Sequence, residues 1–599
     1  MSHAIEDYAI LSNCRTAALV SRDGSVDWFC APRFDSASVF GALLGDTEQG
    51  SWHLRPRDRA ARATRRYDGD TFVLVTRWET VSGIAEVHDL LPMDGGRVDL
   101  VRRIIGVSGQ VEFTTHLRVR FDYARALPWM RQIGDDTTPA LLAAAGPDAL
   151  VVRGVRLGPH GHAHRGRVTV AAGAHVDLVA TWFPSYAPVP EPCDVDAALA
   201  ATREWWTDWA ADIDHSGPRR EEVVRSLLVL RALTHEETGG IVAAVTTSLP
   251  EQFGGARNWD YRYVWLRDAA LTLEILVSHG FLGVAERWRR WLLRALAGDP
   301  AQMQIMYGIA GERDLDERVI HSLPGYQGAA PVRIGNGAVE QYQADVVGEV
   351  MVALEAARIA GLPGDSFGWS LQRVLLEGVE GNIERADNGI WEIRGDLQMF
   401  TQSRAMMWAA FDRGVRATEE FGLDGPVERW RMLRDRLRDE IDTRGVDPEG
   451  GYFTQHYGSR EVDASLLLLA QVGFCGYDDP RMLATVAEIE RTLMTTGLVA
   501  RYRTESGIDG LAGAEHPFLA CTFWLVEQLA CSGRLADAHA LMDRACATRN
   551  DVGLLSEEYD VANARQAGNT PQALSHLALV RAADALGGHG GRAAHGRRV

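Results

Sequence analysis

An antiparallel β-sandwich followed by an (α/α)6 barrel is the fold class that this 599-residue sequence predicts, and three patterns predict it. Early segments alternate apolar and polar residues with a period of two. Beyond a proline-rich break the period becomes helical, and the links between the helices alternate between short and long. The length agrees with two domains, because single hydrophobic cores stop growing at roughly 250–300 residues.

The strand reading is clearest from Val111, where Val111, Phe113, Leu117, Val119 and Phe121 alternate with Glu112, Thr114, His116, Arg118 and Arg120. Successive side chains of a strand point to opposite faces, so one face of this segment is apolar and the other polar. Segments 71–79 and 176–183 have similar β-branched and aromatic content, and Ala171-Ala172-Gly173 supplies a turn. The prolines between Pro188 and Pro192 interrupt regular structure. After them, 221–236 sets Val223, Val224, Leu227, Leu228 and Leu230 on one stripe, as an amphipathic helix requires. Twelve helices are expected, over 221–236, 262–279, 284–298, 338–360, 366–384, 400–421, 426–442, 464–472, 480–494, 517–531, 534–547 and 571–585.

Short links at 280–283, 361–364 and 531–533 only turn the chain, whereas the links before 262, 338, 400, 464, 517 and 571 are long and polar. Long loops usually carry function. Six helical hairpins with all such loops at one end close into an (α/α)6 barrel whose inner helices begin at a shared mouth, and a pocket is expected there. The expected domains are a β-sandwich over 1–205, a linker with a helix over 206–240, the barrel over 241–586, and a disordered Gly-, His- and Arg-rich tail over 587–599.

Composition narrows the function. Hydrophobic residues at 46% and charged residues at 24% describe a folded protein, and a formal net charge of -19 argues against nucleic-acid and anionic-membrane partners. A neutral small molecule fits better. The N-terminal MSHAIEDYAILSNCRT lacks the basic and apolar regions of a secretory signal, and no run approaches the roughly twenty apolar residues of a membrane span. A cytoplasmic location is therefore expected. The seven cysteines lack CxxC or metal-ligand spacing and read as free structural thiols. No P-loop, GxSxG or HExxH is present, and His160, His162 and His164 lie in a glycine-rich turn, so no metal or other cofactor is called for.

The long loops repeat a mixture of Trp, Arg and carboxylate: NWDYRYVWLRDA from Asn258, GIWEIRGD from Gly389 and LLSEEYD from Leu554. Aromatic planes stack on the C–H faces of sugars, while Arg and Asp take their hydroxyls in paired hydrogen bonds. Glycosidic bond cleavage normally uses two carboxylates. Glu392 follows Trp391, whose ring would desolvate it and keep it protonated as an acid, leaving Glu557 ionised. Residue by residue, the adjacent Glu558 competes with Glu557.

The chain resembles glycoside hydrolase family 15 over nearly its whole length. The resemblance is carried by IEDYAILSNCRTAALVSRDGSVDWFCAPRFDS from Ile5, GGARNWDYRYVWLRDA from Gly254, PVRIGNGAVEQYQAD from Pro331, GIWEIRGD from Gly389, VARYRTESGIDGL from Val499, LLSEEYD from Leu554 and GNTPQALSHLAL from Gly568. It implies an N-terminal β-supersandwich, a linker helix and a C-terminal (α/α)6 barrel. It also implies Glu392 as general acid and Glu557 as general base, with Arg267 and Asp268 gripping the non-reducing glucose beside Trp265. Tyr261 would stand near the attacking water and Arg501 in the same subsite. Trp259 and Trp391 would line the wall, and Gln341 and Glu515 carry over as further substrate-binding residues. Departures at Ala344, at Val347 and in His516-Pro517-Phe518 bear on the aglycone.

The expected function is therefore an inverting, exo-acting α-glucoside hydrolase releasing β-glucose, with α,α-trehalose as the favoured substrate. A glucoamylase-like enzyme on malto- or isomaltooligosaccharides is the alternative. A silent carbohydrate-binding protein on the same fold is the alternative of another class, and a homo-oligomer stays open.

Overall fold

The computed structural model describes residues 2–588 except 94, 136, 299–301 and 495, so most of the tail expected to be disordered lies outside the described residues. Fifteen strands among the described residues make one antiparallel network. They are β1 (Tyr8–Ser12), β2 (Ala17–Ser21), β3 (Ser25–Cys30), β4 (Ser38–Phe40), β5 (Ser51–Pro56), β6 (Arg62–Tyr67), β7 (Leu74–Thr80), β8 (Gly83–Leu90), β9 (Val98–Arg118), β10 (Trp129–Gln132), β11 (Ala140–Ala145), β12 (Asp148–Arg153), β13 (Gly158–His160), β14 (Ala163–Ala171) and β15 (His175–Pro184).

The long strand β9 joins two layers. Its residues 111–117 alternate buried and half-exposed as their sequence predicts, and this half pairs with β5 and β14. Its first half pairs with β8 and β15 in the other layer. The strand turns between them at Gly106 and Gly109. A side chain at Gly106 would meet the carbonyl oxygen of Ala171 at 2.1 Å, so only glycine lets the backbones approach this closely. His160, His162 and His164 fall on or beside the β13–β14 hairpin, the first two exposed.

The helices are α1 (Val195–Ala211), α2 (Arg220–Ala232), α3 (Leu266–Ser278), α4 (Leu282–Ala295), α5 (Val346–Ile359), α6 (Ser366–Gly381), α7 (Thr401–Glu419), α8 (Val427–Arg444), α9 (Leu468–Gln471), α10 (Pro480–Thr492), α11 (Leu519–Cys531), α12 (Leu535–Cys546) and α13 (Ala573–Leu586). Helices α3, α5, α7, α9, α11 and α13 form a closed inner ring, with α13 packed back on α3, and the even-numbered helices from α2 to α12 lie outside it. Inner helices such as α3 and α11 are buried all round, whereas the outer α4 and α10 bury one stripe.

Three sequence expectations shift. Helix α1 was not foreseen, and the domain boundary expected at 205 falls inside it. Asp194 caps it by accepting from Ala197 N–H, Val195 and Leu199 pack on Val73, Leu90, Val101 and Val179, and Trp209 stacks on Phe281 of the barrel at 4.1 Å. The helix expected over 338–360 begins only at Val346, because 337–340 is a single 3-10 turn and Gln341 is extended. The helix expected over 262–279 begins at Leu266, because Val264–Trp265 is instead a short strand paired with Met306–Tyr307.

The β-domain braces two of the mouth loops. Trp28 donates to the Val245 carbonyl at 2.8 Å, Arg262 to the Ser36 carbonyl at 2.8 Å and to the Tyr123 hydroxyl at 2.9 Å, and Asn550 to the Tyr8 carbonyl at 2.8 Å. Loops that would otherwise be the mobile parts of a barrel are thus held against a second core.

Candidate active site

A pocket opens where the inner helices begin. It is lined by Glu251, Arg257, Trp259, Tyr261, Trp265, Arg267, Asp268, Trp391, Glu392, Arg394, Arg501, Tyr502, Asp509 and Phe518, among others. Arg267 and Asp268 stand in the first turn of α3, where the helix dipole favours the Asp charge. The Arg267 guanidinium donates to Asp268 at 3.0 Å, to Gln343 at 3.2 Å and to the Ile390 carbonyl at 2.8 Å.

The last of these bonds helps to pin the loop that carries Glu392. Asp387 accepts from the backbone N–H groups of Ala344 and Gly389 and from the Ser403 hydroxyl, and Asn388 donates to the Ile393 carbonyl at 2.9 Å. So fixed, Glu392 takes a left-handed φ of 57°. For a residue other than glycine this costs about 1–2 kcal/mol, strain of a kind that clusters at functional sites. Its carboxylate accepts from the Trp265 indole at 2.6 Å and lies 3.6 Å from Arg267.

Glu557 sits one layer deeper, only 1% exposed. The Tyr261 hydroxyl, on the pocket wall, donates to it at 2.6 Å, and the Asn569 N–H donates to its other oxygen at 3.3 Å. Gly568 makes room for it: a side chain there would lie 2.5 Å from the Glu557 carboxylate, and φ at Gly568 is 73°. Tyr261 and Trp265 meet edge to face at 5.5 Å. The two carboxylates are therefore linked by, and held apart across, one aromatic pair. Burial keeps the Tyr261 phenol well above its usual range, so it remains a donor.

Beside this pair lies a buried charge network. Arg501 donates to Glu515 at 2.6 and 3.1 Å and to Glu251 at 3.1 Å, and lies 3.6 Å from Glu558. Arg257 donates to Asp509 at 2.5 Å and to Glu515 at 3.2 Å. Carboxylates outnumber guanidiniums here. Desolvation, reinforced by Glu251, pushes Glu557 upward, and Glu251 and Glu558 rise as well. Desolvation also raises Glu392, with Arg267 opposing. The expectation that a tryptophan wall would single out Glu392 is thus corrected: burial desolvates both carboxylates and raises both.

Trp259 donates to Glu251 at 3.0 Å, and its ring lies under the guanidiniums of Arg333 and Arg394. Trp391 lines the wall and donates to Asp463 at 3.1 Å. Two expected binding residues are supports instead of wall. Gln341 donates to the carbonyls of Glu392 and Ile393 at 3.1 and 3.3 Å, and Glu515 holds Arg501 and Arg257 from behind. Ala344 and Val347 are buried away from the pocket, whereas Phe518 lines it. Sequence reasoning missed Glu251, Arg257, Arg394, Tyr502 and Asp509. All but Glu251 lie inside the motifs from Gly254, Gly389 and Val499, and Glu251 is three residues ahead of the first.

Residues 217–584 match the family model Glycosyl hydrolases family 15, and residues 1–179 match Trehalase-like, N-terminal. The chain is 37% identical to a trehalase of Mycolicibacterium smegmatis (96% of this chain, 90% of the relative) and 36% identical to a trehalase of Mycobacterium tuberculosis (96% and 89%). A trehalase of Thermoplasma volcanium is 32% identical, covering 97% and 93%. Among solved structures, a bacterial glucoamylase complexed with acarbose superposes with a TM-score of 0.75 over 100% of this chain and 97% of that one. At 13% identity that likeness establishes the fold alone.

Proposed function

The chain belongs to glycosyl hydrolases family 15, and on that premise we propose that it is an inverting α-glucoside hydrolase whose substrate is α,α-trehalose. The observation that carries the mechanism is the pair of desolvated carboxylates, Glu392 and Glu557, joined through Trp265 and Tyr261. Inversion needs room for a water between the second carboxylate and the sugar, and carboxyl groups about 6.5–9.5 Å apart supply it. A spacer of two aromatic side chains supports that arrangement over the roughly 5 Å gap of a retaining enzyme.

In this reading a terminal glucosyl unit enters the pocket, with Arg267 and Asp268 against its hydroxyls and Trp265 and Trp391 along its ring. Glu392, raised by burial and standing on the wall, protonates the glycosidic oxygen. Glu557, steered by Tyr261, takes a proton from water on the opposite face, and the new hydroxyl forms with inverted configuration. Arg501, already committed to Glu251 and Glu515, positions the acidic side of the pocket. The sequence similarity to trehalases over nearly the full length supports trehalose as the substrate. Trehalose, maltose, isomaltose and maltotetraose compared at equal concentration test this choice; the highest kcat/KM is expected on trehalose, and a faster reaction on maltotetraose refutes it.

The pH profile follows from the charges. Glu557 must be ionised to act, and the Glu251 charge opposes its ionisation. Replacing Glu251 by glutamine lowers the Glu557 pKa and also frees Arg501, which acts in the same direction. The acid-side limb of kcat/KM is therefore expected to move to lower pH in E251Q, and a limb that stays in place or rises argues against Glu557 as the base.

We further place the protein in a reducing compartment such as the cytoplasm. The cysteines form no disulfide among the described residues, and no helix there is long and apolar enough to cross a membrane.

A further inference from the structure

At the end of the barrel away from the mouth, three segments bring together two imidazoles and a carboxylate. His215 lies in the link between α1 and α2, His279 caps the C-terminus of α3, and Asp584 stands in the last turn of α13. His215 Nδ1 and His279 Nε2 each lie 3.5 Å from the same oxygen of Asp584, and the three atoms fall within 4.8 Å of one another.

Each outward-facing nitrogen has a backbone carbonyl partner. His215 Nε2 is 3.0 Å from the Pro218 carbonyl, and His279 Nδ1 is 3.0 Å from the Ile275 carbonyl. A carbonyl only accepts, so these nitrogens donate, with the Ser278 hydroxyl also 3.1 Å from His279 Nδ1, and the second nitrogen of each ring is left facing Asp584. Two ring nitrogens and a carboxylate oxygen converging on one point form a donor set that a single cation can bridge. Direct charge-assisted hydrogen bonds would draw the atoms to about 2.7–2.9 Å, well inside the 3.5 Å observed.

We propose that His215, His279 and Asp584 bind one divalent transition-metal ion of zinc-like preference, which clips the interdomain link to the base of the barrel. Ligand atoms bound tetrahedrally at about 2.0–2.1 Å stand about 3.4 Å apart, matching the two 3.5 Å separations. A borderline cation suits a donor set of two imidazoles and one carboxylate. The backbone carbonyls behind the imidazoles are the outer partners that orient metal-binding histidines. The C-terminal ends of α3 and α13 both face the site and add negative potential. The two histidine side chains are 3% and 4% exposed and that of Asp584 is 20% exposed, which leaves an open side for entry and for a water as fourth ligand. Along α3 the site is about 17 Å from Asp268 in the pocket, at 1.5 Å of rise per residue, so its role is to hold the architecture, not to take part in the chemistry.

The test uses the full-length chain, stripped with a chelator, dialysed and titrated with Zn2+ by calorimetry and with Co2+ by visible absorption. One equivalent per chain is expected, with the intense bands of four-coordinate Co2+. His279→Ala and Asp584→Asn are each expected to weaken uptake by about 100-fold or more, while turnover at room temperature is unchanged. His215→Ala, in the link and outside the helical core, repeats the test should either of those variants fail to fold. No uptake by the wild-type chain, a pale six-coordinate Co2+ spectrum, or binding that persists unchanged in the folded variants overturns the site. The last result would point to another cluster, such as Glu251, Glu515 and Glu558.

Discussion

Glu392→Gln is expected to lower kcat on trehalose by about 10²- to 10⁴-fold, the usual contribution of general acid assistance, with thermal unfolding close to that of the wild type. Glutamine keeps the shape of the side chain and can still accept from the Trp265 indole, so the strained loop at Glu392 retains its contacts. The loss is therefore chemical. Glu557→Gln is expected to fall by a similar factor for a different reason, because an amide beside Tyr261 cannot take a proton from water. α-D-Glucosyl fluoride separates the two. Fluoride leaves without being protonated, so E392Q should recover much of its rate on this substrate while E557Q should not. Recovery in E557Q with none in E392Q would exchange the two roles, and undiminished turnover of trehalose by either variant would remove that residue from the chemistry.

The second large effect concerns the fold. Arg581 of α13 donates to Glu527 of α11 through two nitrogens, at 3.0 and 3.1 Å, and to Glu274 of α3 at 2.7 Å. All three are buried, and the Tyr477 hydroxyl also donates to Glu527, at 2.8 Å. This cluster lies where the inner ring closes. Arg581→Met leaves two carboxylates in a dry core without their cation, and breaking a buried pair in this way costs about 3–5 kcal/mol. The melting temperature should fall by several degrees. A variant that melts with the wild type would show that the cluster adds nothing to ring closure.

Much of this architecture could be read from residue patterns because the patterns report burial directly. The alternation from Val111 to Leu117 survives as alternating exposure along β9, and the long links before α3, α7, α11 and α13 line one pocket, with those before α5 and α9 bonded to it through Gln343 and Asp463. Helix α1 is the element least legible in the sequence, although Val195, Ala198, Leu199, Thr202 and Trp206 recur at helical spacing behind the Asp194 cap. The prolines just before it mark a break in regular structure, and the helix buries its stripe against two domains at once. The start of α5 was misplaced because 338–345 carries apolar residues that serve a tight turn under the pocket instead of a helix face.

At the site, local sequence could not decide between Glu557 and Glu558, since neighbouring residues differ only in the side to which they turn. The fold gives Glu557 to Tyr261 and Glu558 to the His516 N–H and the Arg501 side. Nor could sequence separate wall from support. Gln341 and Glu515 stand in the right loops but spend their polar atoms on the Glu392 backbone and on two arginines. The joint desolvation of both catalytic candidates depends on residues hundreds of positions apart, and no single loop encodes it.

Proton NMR of the glucose released in the first turnovers of α,α-trehalose tests the central claim most directly. Cleavage between one anomeric carbon and the bridging oxygen frees one glucose with its original α configuration, while the other takes its new hydroxyl from water. Inversion through Glu557 predicts β- and α-glucose in equal initial amounts. α-Glucose alone, with the β signal growing only at the rate of mutarotation, would mean retention and would contradict the mechanism.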